Sequence, residues 1–201
     1  MNTMQIVCFA YVILIAFNVN AGLIDFETTA QGGMPNDNNI IKLTDAFMAD
    51  GVSVSFGFDS DGDNVVDSHG VFEQIGGGKE GGNSGFLSSF GTRYDITAPG
   101  FEPLLGRFFL RQRNAYAPFG TFHIIYNAEN PVTAASGEIW DIDGGNSASK
   151  TEQFLVKAFN HNNLLESILS PLGLNSKGDS TLDGKPWAFG FSGLSDITRI
   201  E

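Results

Sequence analysis

Val52-Ser53-Val54-Ser55-Phe56-Gly57-Phe58 is the stretch from which the fold can be read. Every second residue is apolar, and the residues between are small or polar. A period of two sets one face against a core and the other toward solvent, so the run predicts a half-buried antiparallel strand. It leads directly into Asp59-Ser60-Asp61-Gly62-Asp63-Asn64-Val65-Val66-Asp67, where four carboxylates fall within nine residues. Asp59, Asp61, Asp63 and Asp67 stand where a calcium loop of EF-hand type uses positions 1, 3, 5 and 9. Asn64 takes the sharp-turn position that usually holds Gly, and Asn is the next residue most ready to enter the left-handed region. Val66 falls where such loops carry an inward apolar side chain. The twelfth position is Gly70 rather than Glu, the next acid is Glu73, and no amphipathic helix flanks the loop. The residues therefore predict calcium coordination on a β-scaffold without an EF-hand. A solvated acidic turn between two strands is the plain alternative.

Outward from this pair the chain repeats the strand signal. Gly22 to Glu27, Val71 to Ile75, Phe86 to Phe90, Gly106 to Arg113 and Gly120 to Asn127 are predicted strands, the last with Phe122, Ile124 and Tyr126 on one face. Ser136 to Gly144 places Trp140 and Ile142 opposite Asp141 and Asp143. Glu152 to Phe159 and Leu164 to Leu169 flank Asn160-His161-Asn162-Asn163, a hairpin turn by composition. Trp187, Phe189 and Phe191 alternate with small residues, and Ile197 to Glu201 reads as one more strand. Ile40 to Asp50 is ambiguous and admits a single helical turn. Gly76 to Gly85 lacks the Lys and Ser/Thr spacing of a phosphate-binding loop and is predicted to be a surface loop. Many short strands, Gly/Asn/Asp/Ser turns and no long helical pattern predict an all-β fold, an antiparallel β-sandwich formed as a single domain over residues 22–201.

Residues 1–21 read as a signal peptide. Ile6 to Phe17 is an unbroken apolar run of h-region length and short for a membrane span, and Val19-Asn20-Ala21 supplies small residues for cleavage after Ala21. The segment before the run has no Lys or Arg, unlike most signal peptides. The expected location is secreted or at the cell surface, with no membrane association after cleavage. Cys8, the single cysteine, lies in this segment. The expected mature chain thus has no disulfide, thiolate nucleophile or Cys-ligated zinc. The net charge of −12 argues against nucleic acid and anionic membrane as partners, and it suits a protein that binds cations.

Catalytic signatures are weak. Neither His-Glu-x-x-His nor Gly-x-Ser-x-Gly occurs, and paired acids carry little information in so acidic a chain. The reading is of a protein that is not an enzyme. Trp140 and Trp187 can in principle stack on a sugar, but a Trp in an alternating strand more often belongs to a core. Tyr94, Tyr116 and His161 lie in loop-like stretches better placed to meet a ligand, whereas His123 reads as structural or solvent-facing.

Ile24-Asp25-Phe26-Glu27, Ser136 to Gly144, Glu152 to Ala158 and Leu182-Asp183-Gly184-Lys185-Pro186-Trp187 resemble segments of secreted bacterial β-sandwich proteins of the PEP-CTERM-associated type. The Pro-Glu-Pro motif, apolar helix and Arg cluster of their sorting tail are absent from this sequence, so the resemblance implies simple secretion. The arrangement also resembles jelly-roll carbohydrate-binding modules. That likeness implies a jelly-roll-like sandwich and a second calcium site formed by Glu27 with Asp141 or Asp143.

Three functions fit these observations: a secreted calcium-binding module for extracellular glycan or matrix, a structural matrix or biofilm protein without a small ligand, and a carbohydrate-active enzyme. The first is the expectation carried forward.

Overall fold

The computed structural model describes residues 22–77, 96–113, 120–142, 152–173 and 182–201. Residues 1–21, the expected strand at 86–90, most of the Gly76–Gly85 loop, and Asp143, Tyr94 and Tyr116 lie outside them. In chain order the strands are β1 (Ile40–Ile41), β2 (Phe47–Ala49), β3 (Val52–Asp59) and β4 (Gly70–Gln74). A short helix, α1 (Glu102–Leu105), precedes β5 (Phe108–Gln112), β6 (Thr121–Tyr126), β7 (Val132–Ile142) and β8 (Leu155–Asn160). Finally come β9 (Asn163–Leu169), β10 (Leu182–Ile197) and β11 (Arg199–Ile200).

These strands build an all-β antiparallel sandwich. One layer is a six-stranded sheet of order β2-β3-β6-β11-β8-β9. Facing it are the three-stranded sheet β1-β4-β5 and the long ribbon β10-β7. The alternation read from Val52 to Phe58 is realised here: Val54, Phe56 and Phe58 are buried. Each buried Val or Phe of this kind contributes about 1.5–3 kcal/mol of transfer free energy.

Two core clusters fill the space between layers. In the first, Ile41, Phe47, Val54, Phe56, Phe72 and Phe108 pack together. Phe26 lies against this cluster, edge-on to Phe56 at 5.2 Å and to Phe47 at 5.9 Å. In the second, Val156, Ala158 and Ile200 of the large sheet meet Phe189, Phe191 and Ile197 of β10. Ile124 and Tyr126 of β6 touch both clusters, so β6 is the wall they share. Burial pushes the Tyr126 phenol up to about 12.

The hairpin around His161 and Asn162 forms as expected, with Asn160 opposite Asn163. β11 inserts between β6 and β8, pairing with Ile124–Ile125 on one side and Ala158–Phe159 on the other. Several local expectations are corrected. Gly22–Glu27 is not a strand, because Phe26 adopts φ 60° and turns the chain, although Ile24 and Phe26 still reach the first core. The ambiguous stretch Ile40–Asp50 holds β1 and β2 rather than a helical turn. Asp141 adopts φ 61°, which breaks the alternation of β7. Ile139 therefore points into the second core while Trp140, opposite Pro186, joins neither cluster.

A candidate metal centre in the β3–β4 loop

β3 ends by carrying Phe58 into the core and turning Asp59 to the opposite face, toward Thr121 of β6. The chain then leaves the sheet and returns at Ser68, which bridges back to Phe58 through hydrogen bonds of 3.0 and 2.9 Å. Asp59 to Ser68 is thus a closed excursion between β3 and β4, anchored at its neck.

The loop wraps around the Asp59 carboxylate. Its Oδ1 accepts N–H groups of Gly62 at 2.7 Å and Asp61 at 3.3 Å, and Oδ2 accepts that of Asn64 at 2.8 Å. Such a path needs two left-handed residues, and Gly62 (φ 83°) and Asn64 (φ 67°) supply them. The i to i+2 pattern repeats further on. Asp61 Oδ1 accepts from Asp63 N at 3.2 Å, and Asp63 Oδ1 accepts from Val65 N at 2.8 Å. Each bond turns the next carboxylate toward the same centre.

As a result Asp59, Asp61 and Asp63 each offer an oxygen within 4.8 Å of the others. They form the group of three or more potential metal ligands found among the described residues. Asp59 is 1 % exposed, while Asp61 and Asp63 are open to solvent. The centre therefore has a fixed floor and an accessible rim, and it can hold a metal ion.

The electrostatics fit that arrangement. Burial alone would raise the Asp59 carboxyl, but the N–H groups of Gly62, Asn64, Asp61 and Asp63 outweigh it and hold the carboxyl below its ordinary value. Asp61 behaves in the opposite way. The Asp63 N–H is its largest single influence and lowers it, yet repulsion from Asp63, Asp67 and Asp59, together with burial, leaves it raised. A divalent cation relieves that repulsion.

The other predicted ligands take different places. Asp67 closes the loop instead of joining the three, accepting from Ser60 N at 2.9 Å and from Ser60 Oγ at 3.0 Å. Glu27 binds the start of β5, where Oε1 accepts the N–H groups of Arg107 and Phe108, the latter at 3.1 Å. Asp141 Oδ1 accepts from Gly184 N at 2.9 Å, which ties β7 to β10. Among the described residues, neither Glu27 nor Asp141 belongs to a converging group of potential ligands.

The aromatic candidates separate. Trp187 packs against the second core, as expected of a strand Trp. Trp140 is half-buried on the ribbon, with its indole N–H donating to Glu138 Oε2 at 3.2 Å. His161 is exposed in the β8–β9 turn. His123 is buried at 2 % exposure with neither ring nitrogen hydrogen-bonded. Its sequence context carried no sign of this, because the cover comes from distant segments.

Compared with family models, curated proteins and solved structures, the chain matches none. Among the described residues no helix is long and apolar enough to cross a membrane.

Proposed function

We propose that the chain is a secreted calcium-binding β-sandwich module whose partner is an extracellular glycan or matrix. The observation that carries this reading is the convergence of the Asp59, Asp61 and Asp63 carboxylates within 4.8 Å on a loop pinned to the sheet. An all-oxygen donor set selects a hard cation, and an open rim suits the six to eight oxygen ligands of calcium better than the rigid octahedron of magnesium. The apolar run Ile6 to Phe17 and the small residues before Gly22 support export, and the net charge of −12 suits a calcium-rich medium.

The glycan half of the proposal draws on Trp140. The half-buried indole, beside the Glu138 carboxylate and across from Pro186, sets an apolar ring next to carboxylate oxygens, the combination that sugars require.

The deciding experiment is a thermal melt in excess EDTA followed by titration with calcium, magnesium and zinc. A rise specific to calcium supports the reading. No rise reduces the loop to a solvated turn. Glycan-array binding lost in Trp140→Ala supports the partner, whereas self-association without glycan binding favours a structural matrix role. Turnover of a glycan, abolished by one carboxylate substitution, would favour an enzyme.

A further inference from the structure

His123 presents an anomaly on the sheet face that also bears Asp59. It is 2 % exposed, and both ring nitrogens lack hydrogen-bond partners. A buried imidazole without hydrogen-bond partners has lost its water, so neighbouring side chains must cover it. The register identifies that cover. His123 is directly opposite Gly57, and paired residues share a face. A Cβ at position 57 would overlap Val66 Cγ1 and come within 2.5 Å of Leu43 Cδ2. The space beside the imidazole that a side chain at 57 would fill is therefore occupied by Val66 and Leu43. Leu43 comes from the turn after β1, whereas Val66 comes from the acidic loop itself, between Asp63 and Asp67.

We infer that the Asp59–Ser68 loop is a lid over His123, closed by Val66, and that cation binding at Asp59, Asp61 and Asp63 controls access to the imidazole. This rests on the cation-binding reading above. Without a cation, three mutually repelling carboxylates bias the loop to open, lifting Val66 from Gly57. With one bound, the carboxylates are drawn together and Val66 is pressed onto the sheet. The anchored neck, Phe58 with Ser68, and the Ser60–Asp67 closure confine the movement to the span that holds Val66. The groups facing His123 across the sheet are Asp59 on β3 and Arg199 and Glu201 at β11, so opening exposes the imidazole on a polar, charged surface.

The test is carbethoxylation of histidine in the full chain, read by peptide mass spectrometry in calcium and in EGTA. Calcium binding is followed in parallel by isothermal titration. His161, exposed in the β8–β9 turn and outside the loop, serves as the internal reference. Calcium is expected to slow modification of His123 roughly tenfold or more relative to His161. Val66→Ser is expected to keep calcium binding and restore His123 reactivity in calcium. Asp61→Asn, which leaves the lid residue in place but relieves part of the repulsion, should slow His123 modification in EGTA and need more calcium to reach full protection. Binding heat with an unchanged His123 rate overturns the lid inference alone. Absence of binding heat overturns the cation reading and the control together. Continued protection in calcium-loaded Val66→Ser overturns Val66 as the cover.

Discussion

Asp59 and Glu27 are two carboxylates held by backbone N–H groups, and they differ in where those groups come from. Asp59 takes its hydrogen bonds from Asp61, Gly62 and Asn64, all within five residues. Glu27 takes its own from Arg107 and Phe108, about eighty positions away. Local capture folds the chain around the anion and brings further acids to it, so the product is a site. Long-range capture fastens one segment to another, so the product is a joint. The same chemistry assembles a candidate metal centre in one place and a tie between segments in the other, and the sequence separation of the partners decides which.

The largest expected effect tests the site. Calcium at a hundredfold excess over its dissociation constant should stabilise the fold by about 2.7 kcal/mol, seen as a rise in Tm of several degrees. Glu27→Ala tests the joint. Losing two bonds to a charged acceptor should cost about 2 kcal/mol in urea denaturation, with the calcium-dependent rise unchanged. If that variant also abolishes the calcium response, the separation of site from joint is wrong. Asp61→Asn should weaken calcium binding by on the order of tenfold by titration calorimetry, with the denaturation midpoint in EGTA equal to or above that of the parent because repulsion is relieved. Asp67→Asn should have the smaller effect on affinity, a few-fold, because that side chain closes the loop and does not join the three.

Acid adds a control that belongs to neither carboxylate. Burial lowers the His123 imidazole from its ordinary 6.5, opposed by Glu201 and Asp59 and assisted by Arg199. A depressed histidine favours the fold while neutral. Its contribution is complete above the unfolded value and is lost as pH falls through the folded one. Tm should therefore decline as pH drops below about 6.5, and His123→Leu should flatten that decline. An unchanged slope in the variant would assign the acid response elsewhere.

Legibility in the sequence follows the same division. The acidic loop was readable because its turn residues, carboxylates and inward Val66 act on one another within ten positions. β3, β6 and the β8–β9 hairpin were readable because alternation is a local property of half-buried strands. Phe26 deceived because its alternating neighbours imitate a strand, while its left-handed backbone is imposed by the ring cluster of Phe47, Phe56 and Phe72. Trp140 deceived because one left-handed residue, Asp141, resets the parity of β7. Glu27 and His123 carried no local mark at all. The partners of one and the cover of the other arrive from segments far along the chain.

The position of β11 has a kinetic consequence. Within the large sheet, β2-β3-β6 and β8-β9 are joined to each other by Arg199 and Ile200. Those two residues lie some seventy positions from their partners in β6 and about forty from those in β8. Neither half is stitched to the other until these two residues are in place, and the high separation of the contacts makes the closing step slow. A chain of this topology therefore forms its sheet as two parts whose facing edges, β6 and β8, stay unpaired until β11 arrives between them.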